Sequence, residues 1–145
     1  MRNLTLIPIY QKSSLDMIAK LVAQELPADF VKFMLVYGGR AVRESIYLNE
    51  IRKTYSVNNY LPPWEVNTIL QEWSKIDENE MLPFAIEGSG SYLCYSLQAV
   101  TFGKIVLSRV DHEGKVSFKE VEKSLELFID KLITPAEFQK NYFGQ

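Results

Sequence analysis

Between Leu82 and Val110 the chain reads as three consecutive strands with only short connections between them, and this stretch limits the fold more than any other. Leu82-Pro83-Phe84-Ala85-Ile86-Glu87 and Tyr92-Leu93-Cys94-Tyr95-Ser96-Leu97 flank Gly88-Ser89-Gly90-Ser91, which predicts an antiparallel hairpin. Lys104 to Val110 follows as a third strand, rich in β-branched residues, and Asp111-His112-Glu113-Gly114 reads as the turn after it. Parallel strands need long crossovers, so strands this close in sequence predict an antiparallel meander. A meander with one apolar face needs a cover, and the rest of the chain must supply it.

Helical periodicity supplies that cover. Ser13 and Asp16 resemble a start signal, and Leu15, Ile18, Ala19 and Val22 fall on one helical face, with Pro27 as the stop. Pro27 also suits the start of a second helix carrying Phe30, Phe33, Met34 and Tyr37, closed by Gly38-Gly39. Ser45 to Leu48 reads as a short strand, and Asn58-Asn59 and Pro62-Pro63 read as turns. Val66, Ile69, Leu70 and Trp73 place a third helix after Pro63. Ser117 and Glu120 resemble a capping box, and Val121, Leu125, Phe128 and Leu132 follow at helical steps, which predicts a long closing helix. Thr134, Pro135 and Glu137 predict one more short helix with Phe138 and Tyr142. The expected fold is α+β: a small antiparallel sheet with helices packed around it in a single domain over 1–145. Residues 1–12 form an N-terminal extension and 133–145 a short helical tail.

Reactive groups are sparse. The single Cys94 excludes an intrachain disulfide and a cysteine-based zinc site, and its place in a strand pattern predicts burial, not reactivity. The single His112 lies in an acidic turn with no orienting partner in sequence, so a solvated histidine is favoured over a general base. Gly88-Ser89-Gly90-Ser91 lacks the Gly-Lys-Ser/Thr of a phosphate loop and precedes a strand, so a hairpin turn is favoured. Asp77, Glu78 and Glu80 could face a hard cation but lack the alternating pattern of a calcium loop. Trp73 fits the apolar helical stripe; Trp64 is divided between core edge and exposed contact. Arg40, Arg43, Arg52 and Lys53 are interrupted by Glu44 and Glu50, and a net charge of −2 gives no nucleic-acid footprint. The opening Met1–Tyr10 segment is short and carries Pro8, and no apolar run approaches bilayer length, so no membrane partner and a cytoplasmic location are expected.

Four segments in order resemble the SUKH superfamily. Leu26-Pro27-Ala28-Asp29-Phe30-Val31-Lys32-Phe33-Met34 resembles its leucine-proline-acid-aromatic helix, and Tyr37-Gly38-Gly39 resembles the end of that helix. Leu82 to Tyr92 resembles the strand, glycine turn and strand of its core, with Glu87 and Ser91 where the family often has Asp and Asn or Asp. Ser117-Phe118 through Phe128-Ile129 resembles its closing helix, unusually spaced. The resemblance spans about Ser14 to Leu132 and implies a mixed fold with no catalytic residue, metal or other cofactor. It implies an immunity protein that binds a cognate protein toxin domain and blocks it, without direct nucleic-acid contact. The expected partner contacts are Asp77, Glu78, Glu80, Glu87, Tyr92 and Trp64. The alternatives are a regulatory scaffold with a non-toxin partner and, remotely, a small hydrolase or transferase using His112.

Overall fold

A computed structural model describes residues 10–49 and 54–142. Arg52, Lys53 and Glu50, and the opening residues 1–9, lie outside the described residues. Lys12–Leu15 form a 3-10 turn, followed by α1 (Asp16–Val22), α2 (Ala28–Tyr37), β1 (Ile46–Leu48), β2 (Thr54–Tyr60) and α3 (Pro63–Ser74). Then come β3 (Met81–Glu87), β4 (Tyr92–Ser96), β5 (Ile105–Val110), β6 (Val116–Glu122), α4 (Leu125–Asp130), β7 (Leu132–Ile133) and α5 (Pro135–Tyr142). The strands form one antiparallel sheet in the order β6-β5-β4-β3-β2-β1-β7. The fold is α+β, as the hairpin and the amphipathic helices predict, but the seven strands among the described residues make the sheet larger than expected.

The sheet curls until its two ends meet. β1 and β6 stand far apart in the strand order, yet the Tyr47 hydroxyl on β1 donates to Glu122 Oε1 (2.8 Å) and lies 3.1 Å from the Val121 carbonyl oxygen, both on β6. Lys131, just before β7, adds an ion pair to the same carboxylate. Phe128 of α4 stacks on Tyr47 at 5.0 Å and meets Phe84 edge-on, which fills the inside of the curl. Phe33 of α2 packs on Tyr37, Tyr60 and Phe84, so helix and sheet share one core. β3 is buried at nearly every position because it is central and covered on both faces.

The end of α2 follows its glycines. Gly38 has φ −53 and ψ 128, Gly39 has φ +76, and the Arg40 amide donates to the Tyr37 carbonyl. That is a type II turn with glycine at the position that requires positive φ. The Gly39 amide then donates to the Tyr60 carbonyl, tying the helix end to β2.

Three expectations are corrected. Ser117 and Glu120 do not cap a helix: Val116–Glu122 is a strand paired along β5. The hairpin at Asp111–Lys115 delivers the chain straight back alongside β5, and ladder hydrogen bonding overrides the local start signal. The cap is Ser124, whose Oγ accepts from the Leu127 amide, and Val121, Leu125 and Leu132 fall on β6, α4 and β7 instead of one helix. Asn58-Asn59 is not a turn: it lies within β2 at a bulge opposite β3. Ser13 caps nothing; it sits inside the 3-10 turn, and α1 ends at Ala23, before Pro27. The capping box at Thr134 and Glu137 is present, with reciprocal bonds of 3.0 and 3.1 Å.

Candidate functional site

Both hairpin turns that border β4 and β5 are built alike. In the first, the Glu87 amide donates to Ser91 O and the Gly90 amide to Glu87 O, with Gly90 at φ +91. In the second, the Asp111 amide donates to Lys115 O and the Gly114 amide to Asp111 O, with Gly114 at φ +83. Each is a three-residue loop made of a type I turn and a left-handed glycine. Each starts with an acid whose carboxylate accepts the amide two residues on: Ser89 N to Glu87 Oε1 and Glu113 N to Asp111 Oδ1. Glu87 also takes the Ser89 hydroxyl and is only 8% exposed. Its carboxylate therefore acts inside the turn.

The first turn forms one wall of a cleft of about 300 Å³ lined by Trp73, Ser89, Gly90, Ser91, Tyr92, Ser108, Val110 and Val116. Trp73, at the end of α3, meets Tyr92 and Phe118 edge-on at 6.0 and 5.6 Å, giving the cleft a rigid aromatic wall. Ser108 Oγ accepts the Tyr92 amide (2.8 Å) and so holds the start of β4. The opposite lip is Val110, 66% exposed.

The acids expected as contacts follow Trp73 where α3 ends, and none of them lines the cleft. The Glu78 amide donates to Trp73 O and the Asp77 amide to Ser74 O, while Asp77 has φ +60. This is a Schellman closure with Asp77 at the position usually held by glycine. Glu78 Oε2 accepts the Glu80 amide, and the Leu97 amide reaches the Glu80 carbonyl at the far end of β4. Asp77 and Glu80 are exposed and Glu78 is half-buried. None of the three pairs with a described cation.

Trp64 stands apart. Nine residues separate it from Trp73, which on a helix is about 14 Å and roughly half a turn around the axis. It is 64% exposed on the other side of α3 and cannot reach the cleft. Of the six expected contacts, the structure brings Tyr92, Asp77 and Glu78 to the neighbourhood of Trp73. Glu80 sits farther along the same connection, Glu87 is enclosed in its turn, and Trp64 is remote. The sequence reading missed Val110, Ser108 and Val116, because only the pairing of β5 with β4 and β6 places them beside Tyr92.

Cys94 is fully buried; burial, with Glu78 adding to it, pushes the thiol well above its usual range, so it is a poor nucleophile. His112 lies exposed in the β5–β6 turn and is not among the residues that line the cleft. Among the described residues no group of three or more His, Cys, Asp or Glu could hold a metal, and no helix is long and apolar enough to cross a membrane.

A SUKH family model described as SMI1-KNR4 cell-wall matches residues 12–129. No curated protein matches the chain. The match covers both hairpins, the cleft and the acidic connection, and the chain therefore belongs to the SMI1-KNR4 cell-wall family of the SUKH superfamily.

Proposed function

We propose that the chain is a non-catalytic protein-binding domain of the immunity type, which neutralises a toxin domain by occupying its working surface from within the cytoplasm. The observation that carries this reading is the cleft. A preformed aromatic wall of Trp73 and Tyr92 meets an uncovered apolar lip at Val110, and Asp77 and Glu78, neither paired with a described cation, follow Trp73 at the end of α3. Protein interfaces pair a desolvated aromatic and apolar centre with a charged rim in this way. Membership of the SUKH superfamily supports the same reading.

The test is co-expression with each toxin candidate encoded beside the gene. Growth rescue and co-purification of the pair are expected. Failure of every neighbouring candidate to be neutralised or bound would remove the toxin reading. A second reading, a regulatory scaffold, draws on the words cell-wall in the family description; native pull-down would then recover cellular enzymes in place of a toxin. His112→Ala should leave partner binding unchanged under either reading, and a complete loss of function with binding intact would point to catalysis instead.

A further inference from the structure

The floor of the cleft is one face of three adjacent strands. Leu93 pairs with Leu107, which puts Tyr92 opposite Ser108, and Ser108 pairs in turn with Phe118. Residues opposite one another across a ladder point to the same face, so Tyr92, Ser108 and Phe118 form one row. Val110 and its partner Val116 lie two residues along and share that face. Trp73 covers the row, meeting Tyr92 and Phe118 edge-on. The β3–β4 turn closes the end of the cleft with Ser89, Gly90 and Ser91.

Two hydroxyls of this cleft have part of their hydrogen-bonding capacity already committed, in opposite senses. Ser89 gives its proton to the Glu87 carboxylate, which when ionised can only accept, so the Ser89 oxygen is left to accept from an occupant. Ser108 Oγ accepts the Tyr92 amide, and its own proton has no acceptor among the described residues. Ser108 is only 4% exposed, so that donor gains more from a partner than a solvated one would. No charged side chain lines the cleft, and an ion entering it would lose hydration without meeting a counter-charge. Val110 and Val116 offer hydrocarbon surface and no polar group. The matching occupant is therefore neutral, carries a donor and an acceptor together, and stands on an apolar stem.

We propose that the cleft takes the side-chain carboxamide of an asparagine or glutamine presented by the partner protein. The amide nitrogen donates to Ser89 Oγ, the amide oxygen accepts from Ser108, and the methylene stem seats against Val110 and Val116 beside the Trp73 wall. A carboxylate has no proton for Ser89 and an ammonium no lone pair for Ser108, whereas a carboxamide serves both at once. The acetamido group of an amino sugar carries the same chemistry, but its hydroxylated ring would meet the two valines, which can pair with none of its hydroxyls. The inference rests on the protein-binding reading and adds the chemistry of the group that enters the cleft.

The probes are the N-acetyl, N-methylamide derivatives of glutamine, glutamate and methionine, which share the same main-chain amides, together with N-acetylglucosamine. In titrations of the isotope-labelled chain followed by NMR, the glutamine probe should bind at about 1 mM and shift the Trp73 indole N–H and the amides of Ser89, Gly90, Tyr92 and Ser108. The glutamate and methionine probes should bind about tenfold more weakly. Ser108→Ala should abolish the preference for glutamine over methionine. Val116→Phe, on the edge strand β6, fills the cleft with both serines in place and should abolish binding while the remaining spectrum stays that of the folded chain. The proposal is overturned by no shift with the glutamine probe, by equal binding of the glutamate or methionine probe, by tighter binding of N-acetylglucosamine, or by a glutamine preference that survives both variants. The same variants separate the two readings. A toxin neutralised equally by the parent and the Val116→Phe chain sinks the carboxamide site and leaves protein binding standing. A glutamine preference lost in both variants, with no toxin neutralised, sinks the toxin reading and leaves the site.

Discussion

Glu122 shows how a single side chain closes this fold. Burial opposes its ionisation, but the Lys131 ammonium, the Lys123 amide and the Tyr47 hydroxyl outweigh that and hold its carboxyl below the ordinary value of 4.5. The folded carboxyl then binds its proton less tightly than the unfolded one. Its contribution to stability is full above the ordinary value and is lost as pH falls through the depressed one. Glu122→Gln should lower stability at neutral pH by about 2 kcal/mol, below the ~3–5 kcal/mol of a fully buried pair because Lys131 is partly solvated. The difference from the parent should shrink on acidification below pH 4.5, as read by urea denaturation across pH. A second residue-scale test is Ala23, which ends α1 at φ +56 with its amide and that of Gln24 bonded back to Lys20 and Ala19. Ala23→Gly should raise stability by about 1 kcal/mol, since glycine adopts this conformation without the Cβ penalty.

At the scale of elements, the segment after the second hairpin tells strand from helix. If Ser117 began a helix, Ser117→Ala would remove a cap and Ser124→Ala would do little. The structure reverses this: Ser124 Oγ accepts the Leu127 amide at 3.1 Å, while Ser117 is exposed opposite Arg109. Ser124→Ala should therefore cost about 1 kcal/mol and Ser117→Ala less than about 0.5 kcal/mol in thermal or urea unfolding. Cys94, in the middle of β4, should resist a thiol reagent in the native state and react fully only in denaturant, because burial raises its thiol and closes access to it.

At the scale of the whole molecule, curling of the sheet separates two surfaces. The inside is filled by Phe84, Phe128 and Tyr47, and the cleft lies where Trp73 meets the β3–β4 turn and the ends of β5 and β6. Breaking the closure should reach the cleft only through global stability. Tyr47→Phe removes one donor to Glu122 and should cost about 1 kcal/mol while leaving partner binding at 25 °C unchanged, measured on folded protein by calorimetry. Weakened binding in the folded variant would mean that the closed curl and the cleft are mechanically coupled.

Residues 82–110 and the stripes of α1, α2 and α3 were legible in the sequence because local periodicity and turn chemistry decide them. Glycines at Gly39, Gly90 and Gly114 marked their turns for the same reason, and the chemistry of the acids at 77–80 was visible as composition. What lay beyond local pattern was pairing. The strand at Val116–Glu122, the two-residue β7 and the bulged β2 exist because neighbouring strands offer hydrogen bonds, and no window of sequence contains those neighbours. Tertiary pairing alone put Val110, Ser108 and Val116 beside Tyr92, turned Glu87 inward and sent Trp64 to the far side of α3.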